Sequence, residues 1–315
     1  MSAVVVKSTV GLSREEWLAD RRLGIGGSDA AVVCGVSRWK SPLQLWMEKT
    51  GQLPPEDAGE VAYWGTQLEP LIREEFIRRS GIKVIVVNKL LRSHKYPFML
   101  ANLDGVCRCP IHGKCVFESK SASAYKDDEW ENDAVPYDYV LQGQHYLAVT
   151  DYNGVYYAVL IGGNTFKWTY MPRDEAIISM LVRTERGFWA HVQDGVPPQP
   201  DGSKACVELM AKLYPSSVPM SKIELPATAV DLIHQYKEAD EQLDRLTALK
   251  QEAGNRLKDM LGNNEIGTIG ENSISWKTCK QNRFDSKAFA VEQPDLYARY
   301  VRESSHRRFI VKKAS

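Results

Sequence analysis

Residues 102–122 read NLDGVCRCPIHGKCVFESKSA, and this stretch with its flanks decides the fold class. Runs of β-branched and aromatic residues bounded by turn residues predict strands at 83–91, 98–106 and 115–121. Asp104 ends one strand at a Leu-Asp-Gly turn, while Glu118 and Lys120 lie two positions apart on the next strand. Alternate residues of a strand leave the same face, so a hairpin brings Asp104 alongside this pair.

Two converging carboxylates offer hard oxygen ligands, which suit Mg²⁺ together with water and substrate phosphate oxygens. A lysine beside them can stabilise or deprotonate an attacking water molecule. The arrangement D…(D/E)-x-K is typical of a large class of nucleases, in which metal ions polarise the scissile phosphate. The pattern alone also fits an exposed hairpin with a cross-strand ion pair. The apolar CVF before Glu118 favours the functional interpretation, because charges at the end of a buried strand are costly unless they are used or paired.

Two predicted helices carry further polar residues toward the same site. Glu69 lies in the amphipathic pattern of residues 66–81, where a third carboxylate can reach the metal. Gln142 and Tyr146 are one helical turn apart in the helical pattern of residues 137–150, so both face one side. The structural alternatives are a first-turn acid favoured by the helix dipole for Glu69 and a surface position for Gln142.

A glycine-rich turn, GIGG at 24–27, separates a short predicted helix at 14–22 from a helix start at Ser28. Its backbone N–H groups, with the helix N-terminus beyond, form an anion site. Arg22 and Ser28 flank this turn and are candidate phosphate ligands, although Arg22 also fits a simple helix-end cation. A dinucleotide-binding loop is excluded, because such a loop needs a strand before its glycines, and a charged helical pattern precedes these.

The composition is that of an ordinary globular protein. The 315 residues include 40 Lys and Arg against 40 Asp and Glu, and 43% are hydrophobic. These values exclude a disordered tail, a collagen and a disulfide miniprotein. No run approaches the ~20 apolar residues of a membrane helix, and the N-terminus lacks the apolar core of a secretory signal. We therefore expect a cytoplasmic protein with reduced cysteines that does not act at a membrane.

Pro, Gly and Ser accumulate between residues 195 and 226, which predicts a domain boundary there. The expected organisation is a core at 1–220 and an extension at 221–315. The extension holds a charged amphipathic helix or helix pair at 227–261, which can pack on the core or on a neighbouring subunit, and then a small β-containing unit. The basic and aromatic residues of that unit can contact DNA or a partner, or can form a solvated strand with core aromatics: Tyr297, Tyr300, Arg307, Arg308, Phe309, Lys312 and Lys313.

The hairpin between Asp104 and Glu118 holds four soft ligands in the compact spacing C-x-C-x2-H-x2-C: Cys107, Cys109, His112 and Cys115. Four such ligands can bind Zn²⁺ tetrahedrally, in a structural role, because Mg²⁺ chemistry needs oxygen ligands. Structural zinc sites usually space their first ligands by two or more residues, so a turn with incidental thiols is the favoured alternative.

Six motifs together resemble the YqaJ-type viral recombinase family, which includes lambda-exonuclease-like alkaline exonucleases of the PD-(D/E)xK class. In chain order they are RRLGIGGSDA (21–30), SPLQLWMEKTG (41–51), WGTQLEP (64–70), NLDG (102–105), ESK (118–120) and LQGQHY (141–146). The resemblance covers residues 13–170 in order and spacing. It implies an α/β restriction-endonuclease-like core with a mixed central sheet flanked by helices, followed by a helical and β extension.

The resemblance also implies an activity. Such proteins are Mg²⁺-dependent exonucleases that digest one strand of linear double-stranded DNA from 5′ to 3′ and release mononucleotides. For this chain Mn²⁺ is an alternative working ion, which the sequence does not distinguish from Mg²⁺. They take 5′-phosphorylated ends and leave a 3′ overhang for a single-strand annealing protein. Many are homotrimeric rings that enclose the DNA. A bacterial cytoplasmic protein of phage or prophage origin is therefore expected.

Residue roles are carried over by position in these motifs. Asp104 and Glu118 become metal ligands, Glu69 becomes a further acidic residue of the metal site, and Lys120 orients or activates the attacking water. The Ser119 backbone carbonyl becomes an extra metal ligand. The remaining residues would hold the terminal phosphate or the DNA near the cut: Arg22, Ser28, Gln142 and Tyr146.

Two rival functions stay open at this point. The first is a structure-specific or single-strand endonuclease on the same core, which activity on closed circular DNA would reveal. The second is a non-catalytic DNA-binding module, which would have lost an acid or the lysine. None of those expected positions is lost in this sequence.

Overall fold

The computed structural model describes residues 3–54 and 59–312. The chain divides into two compact units, the first ending at Leu213 and the second beginning at Tyr214. This division falls inside the predicted linker, whereas the boundary expected at residue 220 stays a prediction.

The first unit combines strands and helices. Its strands are β1 (Ala3–Ser8), β2 (Val84–Ile85), β3 (Lys89–Ser93), β4 (Leu100–Asn102), β5 (Gly105–Cys109), β6 (Gly113–Ala122), β7 (Gly154–Ile161) and β8 (Thr165–Pro172). Its α-helices are α1 (Arg14–Arg21), α2 (Gly27–Val33), α3 (Pro42–Lys49), α4 (Gly59–Ser80), α5 (Tyr137–Thr150), α6 (Glu175–Asp194) and α7 (Lys204–Leu213). Short 3₁₀ turns follow β6 at Ala124–Lys126 and Asp128–Trp130.

The larger sheet has the strand order β2-β5-β6-β7-β8 and is mixed. Strands β6 and β7 run parallel, whereas the other neighbours run antiparallel. Parallel neighbours need a long crossover, which α5 supplies here. A smaller antiparallel sheet has the order β1-β3-β4. The predicted α/β core with a mixed central sheet is confirmed.

Helices cover both faces of the larger sheet. On one face, the Phe76 ring of α4 lies 5.0 Å from the Phe117 ring of β6 and 5.5 Å from the Tyr156 ring of β7. On the other face, α5 and α6 bury their apolar side chains against the sheet, including Leu147, Val149, Ile178 and Val182. The alternating side chains of β6 and β7 therefore feed two separate apolar layers.

Two of the predicted strands are each divided in the structure. The pattern at 98–106 forms β4 and β5, which belong to different sheets, with Leu103 and Asp104 between them. The pattern at 83–91 likewise forms β2 and β3. A Cβ on Gly105 would lie 2.5 Å from Val84 Cγ1, so glycine permits the close approach of β2 at this junction.

Helix α4 is longer than the sequence pattern predicted. The pattern indicated a helix at 66–81, whereas α4 runs over Gly59–Ser80. Glu69 therefore lies in the middle of the helix, and the alternative that made it a first-turn acid is wrong. Helices α1 and α3 begin as their capping residues indicate, since Ser13 and Ser41 accept hydrogen bonds from the first turns.

The second unit holds the long helix α8 (Ala229–Leu261), the strands β9 (Ile266–Ile269) and β10 (Asn272–Ser275), and the short helices α9 (Ser286–Glu292) and α10 (Pro294–Tyr300). The two strands form an antiparallel hairpin. The segment 301–312, which carries the basic residues of the predicted strand, has no regular secondary structure, and Lys313 lies outside the described residues. Throughout 3–54 and 59–312, no helix is both long and apolar enough to cross a bilayer.

Candidate active site

The end of β6 and the middle of α5 meet in one buried hydrogen-bond network. Lys120 Nζ lies 2.8 Å from Glu118 Oε1 and donates to Gln142 Oε1 at 3.0 Å. Gln142 Nε2 donates to Glu118 Oε1 at 2.7 Å and to the Tyr146 hydroxyl at 3.0 Å. The structure thus brings four of the predicted site residues together. Gln142 is buried, so the alternative that made it a surface residue is wrong.

Asp104 joins this network through Ser119, which lies between Glu118 and Lys120 on β6. Its Oδ2 accepts hydrogen bonds from the Ser119 backbone N–H at 2.9 Å and from the Ser119 hydroxyl at 2.8 Å. The short hairpin β5–β6 brings Asp104 next to Glu118, as the strand spacing predicted. The role of the Ser119 carbonyl as a metal ligand stays a prediction.

The electrostatics of the site show a shortage of positive charge. Burial and the nearby charge of Asp104 raise the pKa of Glu118 to about 8, even though Lys120 opposes the shift. Glu118 Oε2 is buried and has no hydrogen-bond partner. Burial and Asp104 also raise the pKa of Glu69, which accepts a hydrogen bond from Arg73 Nη1 at 3.0 Å. A further cation near these three carboxylates would relieve both the desolvation and the repulsion.

The donor set fits a hard divalent cation such as Mg²⁺. Among residues 3–54 and 59–312, no three His, Cys, Asp or Glu side chains lie close enough to hold a metal by themselves. Mg²⁺ does not need three, because it binds one or two carboxylates and fills its remaining positions with water and phosphate oxygens. Asp104 and the unpartnered oxygen of Glu118 supply that number. Glu69 already bonds to Arg73, and its metal role stays a prediction.

At the glycine turn, the arginine that contacts Ser28 is Arg21 and not Arg22. Arg21 Nη2 donates to Ser28 Oγ at 3.1 Å and to Asp29 Oδ1 at 2.6 Å. Arg22 is exposed and turns toward Gly51, where an added Cβ would lie 3.6 Å from Arg22 Nη1. The phosphate-binding roles of Arg22 and Ser28 stay predictions. Successive residues of a helix point about 100° apart, so only one of two adjacent arginines can face the turn.

A buried ion pair that the sequence did not indicate holds this turn. Lys49 Nζ donates to Asp29 Oδ2 at 2.7 Å, to the Gly24 carbonyl at 2.7 Å and to the Arg21 carbonyl at 2.5 Å. Asp29 also accepts from the Gly26 N–H at 3.0 Å. Burial would raise the pKa of Asp29, but Lys49 and Arg21 outweigh it and hold the pKa well below its usual range. Lys49 thereby fixes the turn and, through Asp29, the Arg21 side chain.

The turn and the carboxylate network are in direct contact. A Cβ on Gly27 would lie 2.3 Å from Tyr146 Cε1, so the Tyr146 ring packs on the bare backbone of α2. The residue before Tyr146, the buried His145, forms two hydrogen bonds: its Nδ1 lies 2.8 Å from Glu185 Oε1, and its Nε2 lies 2.9 Å from the Leu100 carbonyl oxygen. This second buried pair ties α5 to α6 and β4, and sequence patterns gave no signal for it.

A cleft of about 1230 Å³ opens beside the glycine turn. The side chains that line it include the basic Arg14, Arg21, Arg22, Lys40 and Lys49, the aromatic Trp17, Trp39 and Tyr63, leucines, and the acidic Glu48 and Glu60. Trp39 is 82% exposed, which leaves its ring free to stack. Cationic side chains with exposed aromatic rings suit a nucleic-acid strand, because the cations bind phosphates and the rings stack on bases.

The four soft ligands of the hairpin do not form a zinc site. Cys107 and Cys115 face each other across β5 and β6, while Cys109 accepts a hydrogen bond from the Tyr156 hydroxyl at 3.1 Å. His112 lies 3.9 Å from Cys109 Sγ, bonds to Tyr156 and stacks on Tyr170 at 3.6 Å. A structural zinc ion needs four converging ligands. Among the described residues the four side chains do not form a group that could hold a metal, which favours the alternative of incidental thiols. The thiols belong to the apolar layer between the larger sheet and α4.

Fold and site together define an α/β protein with a buried carboxylate–lysine cluster at the end of a central strand. Residues 16–153 match the model of the YqaJ-like viral recombinase domain. The chain is also 40% identical over 317 residues to the protein YqaJ of Bacillus subtilis (strain 168), covering 99% of this chain and 98% of that protein. The chain belongs to the YqaJ-like viral recombinase family.

Solved structures also resemble the chain. The alkaline exonuclease LHK-Exo of Laribacter hongkongensis, in complex with dAMP, is 21% identical with a TM-score of 0.49, over 64% of this chain and 100% of that chain. A phage-related exonuclease of Haemophilus somnus 129PT is 12% identical with a TM-score of 0.43, over 63% of this chain and 100% of that chain.

Proposed function

We propose that this protein is a metal-dependent deoxyribonuclease that digests one strand of linear double-stranded DNA from the 5′ end, releasing mononucleotides and leaving 3′ overhangs. The observation that carries the proposal is the state of Glu118. One of its carboxylate oxygens is bound by Lys120 and Gln142, and the other is buried without a partner. Such an arrangement costs stability unless a cation binds there. Arg21, which holds the neighbouring glycine turn, lines a cleft with cationic and aromatic side chains that suit DNA.

Asp104 and Glu118 would hold Mg²⁺, with Mn²⁺ as the second working ion. When bound, the ion supplies Lewis-acid polarisation of the scissile phosphate and of the attacking water. Burial opposes the charged form of Lys120, but Glu118 and Asp104 outweigh it and raise its pKa. Lys120 therefore stays protonated at neutral pH. It orients the water and offsets the charge of the phosphate, rather than taking the proton itself.

The 5′-to-3′ direction of digestion would come from a binding site for the 5′ phosphate, formed by Arg21 and Ser28 and called the clamp below. Arg21 is about one-third exposed at its side chain, and its guanidinium is held between Ser28 and the buried Asp29. A guanidinium fixed at one edge can donate its remaining N–H groups to a phosphate. The clamp lies against Tyr146 through Gly27, so a phosphate bound there sits beside the carboxylate network.

The test uses linear duplex DNA labelled separately at each end, with closed circular duplex as the control substrate. Ordered loss from 5′ ends in Mg²⁺, abolished by EDTA and absent on circles, is the expected result. Cutting of circles or of single strands would replace the proposal with an endonuclease on the same core. Folded protein that binds DNA but leaves it intact in both Mg²⁺ and Mn²⁺ would identify a non-catalytic DNA-binding module instead.

The clamp is tested with two adjacent arginines as a matched pair. Arg21→Ala is expected to reduce the preference for 5′-phosphorylated over 5′-hydroxyl ends, because it removes the guanidinium that faces Ser28. Arg22→Ala removes the same charge one residue away and is expected to retain that preference. The opposite result would assign the phosphate to Arg22.

Two further proposals rest on the family resemblance. A single-strand annealing protein would receive the 3′ overhang, and a homotrimeric ring would enclose the duplex. The viral recombinase family to which the chain belongs also fits a phage or prophage origin. A pull-down with an annealing protein and the mass of the DNA-bound complex would test the first two.

A further inference from the structure

Helix α8 carries a seam that runs along its whole length and is apolar except at Lys250. Written in heptads, its a and d positions are Ala229, Leu232, Tyr236, Ala239, Leu243, Leu246, Lys250, Ala253, Leu257 and Met260. The central members are exposed, Leu243 by 61% and Leu246 by 64%. Apolar residues sustained at a and d favour a coiled coil, in which each helix buries its seam against the other.

We propose that α8 pairs with α8 of a second copy of this chain as an antiparallel, two-stranded coiled coil centred between Leu243 and Leu246. This surface is separate from the carboxylate site, and the inference does not depend on the proposed nuclease activity. A helix of this length offers a seam of ~50 Å at 1.5 Å per residue.

Side-chain sizes fit this register. With Leu243 opposite Leu246 of the second copy, the other layers are Leu232 with Leu257, Tyr236 with Ala253, Ala229 with Met260, and Ala239 with Lys250. Each of the three large or long side chains of the seam, Tyr236, Met260 and Lys250, thus faces an alanine. Alternating large and small side chains across facing positions fill space without voids. The two ends of the helices coincide as well, so no part of the seam is left over.

Charge along the helix favours the antiparallel direction. Residues 229–244 contain five acidic residues and one lysine, whereas residues 245–261 contain four basic and two acidic residues. Antiparallel pairing sets each acidic half against a basic half of the second copy. Parallel pairing would set like against like, which disfavours association.

Lys250 decides between the two directions at the level of a single layer. In a parallel pair it would meet Lys250 of the second copy inside the seam, and Ala239 and Ala253 would each face another alanine across a gap. In the antiparallel pair its methylene chain lies over Ala239 of the second copy. Its ammonium can then reach toward Glu238 or Asp240 beside that alanine, outside the apolar layer.

Contacts within the second unit leave the centre of the seam uncovered. The Phe309 ring lies 5.7 Å from the Tyr236 ring, and Lys258 lies 5.8 Å from the Trp276 ring. Tyr236 keeps 45% of its surface exposed in spite of that contact. The segment around Phe309 therefore borders the seam at one end and leaves Leu243 and Leu246 accessible.

The first experiment measures the mass of the full-length protein by light scattering. Leu243→Glu places like charges at the centre of the seam and is expected to halve the mass of the wild-type assembly. Ala248→Glu adds the same charge on the opposite face of α8 and is expected to leave the mass unchanged. Because a ratio is measured, the expectation holds whether or not the core also self-associates. Equal masses for wild type and Leu243→Glu would overturn the proposal.

A cross-linking experiment tests register and direction without disrupting the seam. Ala239→Cys and Lys250→Cys are made separately in full-length protein carrying Cys279→Ser, which removes the exposed native thiol. A disulfide-linked dimer is expected after mild oxidation of the mixed proteins, and not from either protein alone. A dimer from Ala239→Cys alone would show parallel pairing. No cross-link in any sample would show that α8 does not meet a second copy, and either result would overturn the proposal.

Discussion

Gly27→Ala is expected to reduce DNA cleavage far more than it reduces stability. An alanine Cβ at this position would lie 2.3 Å from Tyr146 Cε1 and 2.6 Å from Tyr146 Cζ. Carbon atoms pack at about 3.5–4.0 Å, so the tyrosine ring must retreat by roughly 1 Å or more. The backbone of α2 cannot retreat instead, because Asp29 in its first turn is pinned by Lys49.

The displacement is transmitted directly to the carboxylate network. The Tyr146 hydroxyl accepts a hydrogen bond from Gln142 Nε2 at 3.0 Å, and Gln142 bonds to both Glu118 and Lys120. A misplacement of about 1 Å in a catalytic arrangement costs on the order of 10²-fold in rate. Overpacking of this kind costs ~1–3 kcal/mol in the free energy of unfolding, which a well-folded domain tolerates.

The assay is single-turnover digestion of end-labelled linear duplex, accompanied by denaturant unfolding of the same preparation. Gly187→Ala is the matched control, because no neighbouring atom lies within 4 Å of a Cβ added at that exposed position of α6. It is expected to keep the wild-type rate and to gain up to ~1 kcal/mol of stability, as alanine does in a helix interior. A wild-type rate in folded Gly27→Ala protein would refute the link from the turn to the carboxylates.

Three more outcomes are expected. Asp29→Asn leaves Lys49 buried without its counter-charge and should cost ~3–5 kcal/mol in the free energy of unfolding. Because the pKa of Asp29 is lower in the folded than in the unfolded protein, wild type should lose this advantage as the pH falls below about 4. Equal stabilities of wild type and variant at pH 7 would contradict the ion-pair argument. Lys120→Ala should abolish cleavage while a mobility-shift assay shows DNA binding retained, and residual turnover near the wild-type rate would remove Lys120 from the mechanism. Elemental analysis of the purified protein should find no stoichiometric zinc, whereas one zinc ion per chain would contradict the thiol geometry of the β5–β6 hairpin.

The part of the site that rests on strand geometry could be predicted from the sequence. Glu118 and Lys120 are two residues apart on one strand, and the period of a strand requires them to share a face. Their 2.8 Å contact and the position of Asp104 agree with that requirement. The contact between Gln142 and Tyr146 could be predicted for a similar reason, because residues four positions apart lie on the same side of a helix.

The part of the site that rests on tertiary contacts could not be predicted. Asp29 and Lys49 are 20 positions apart, on different helices, and no periodic pattern connects them. The contact of Arg21 with Ser28 depends on the rotational phase of α1 at its last turn, where a helix end is least certain. The start of α4 was missed because Gly59 and Gly65 indicated a loop and a helix boundary, whereas both glycines lie within the helix.

The way β6 leaves its partner β5 has a consequence for how the protein avoids aggregation. Pairing between these strands ends at Gly105 and Phe117, so β6 continues to Ala122 with one edge outside the ladder. Open strand edges invite pairing with other chains, and natural proteins protect them with charges that point inward. Here the first N–H group beyond the ladder, that of Ser119, is taken by the Asp104 carboxylate, and Glu118 and Lys120 stand on either side. The same charges that form the candidate site therefore also keep this edge from templating a foreign strand.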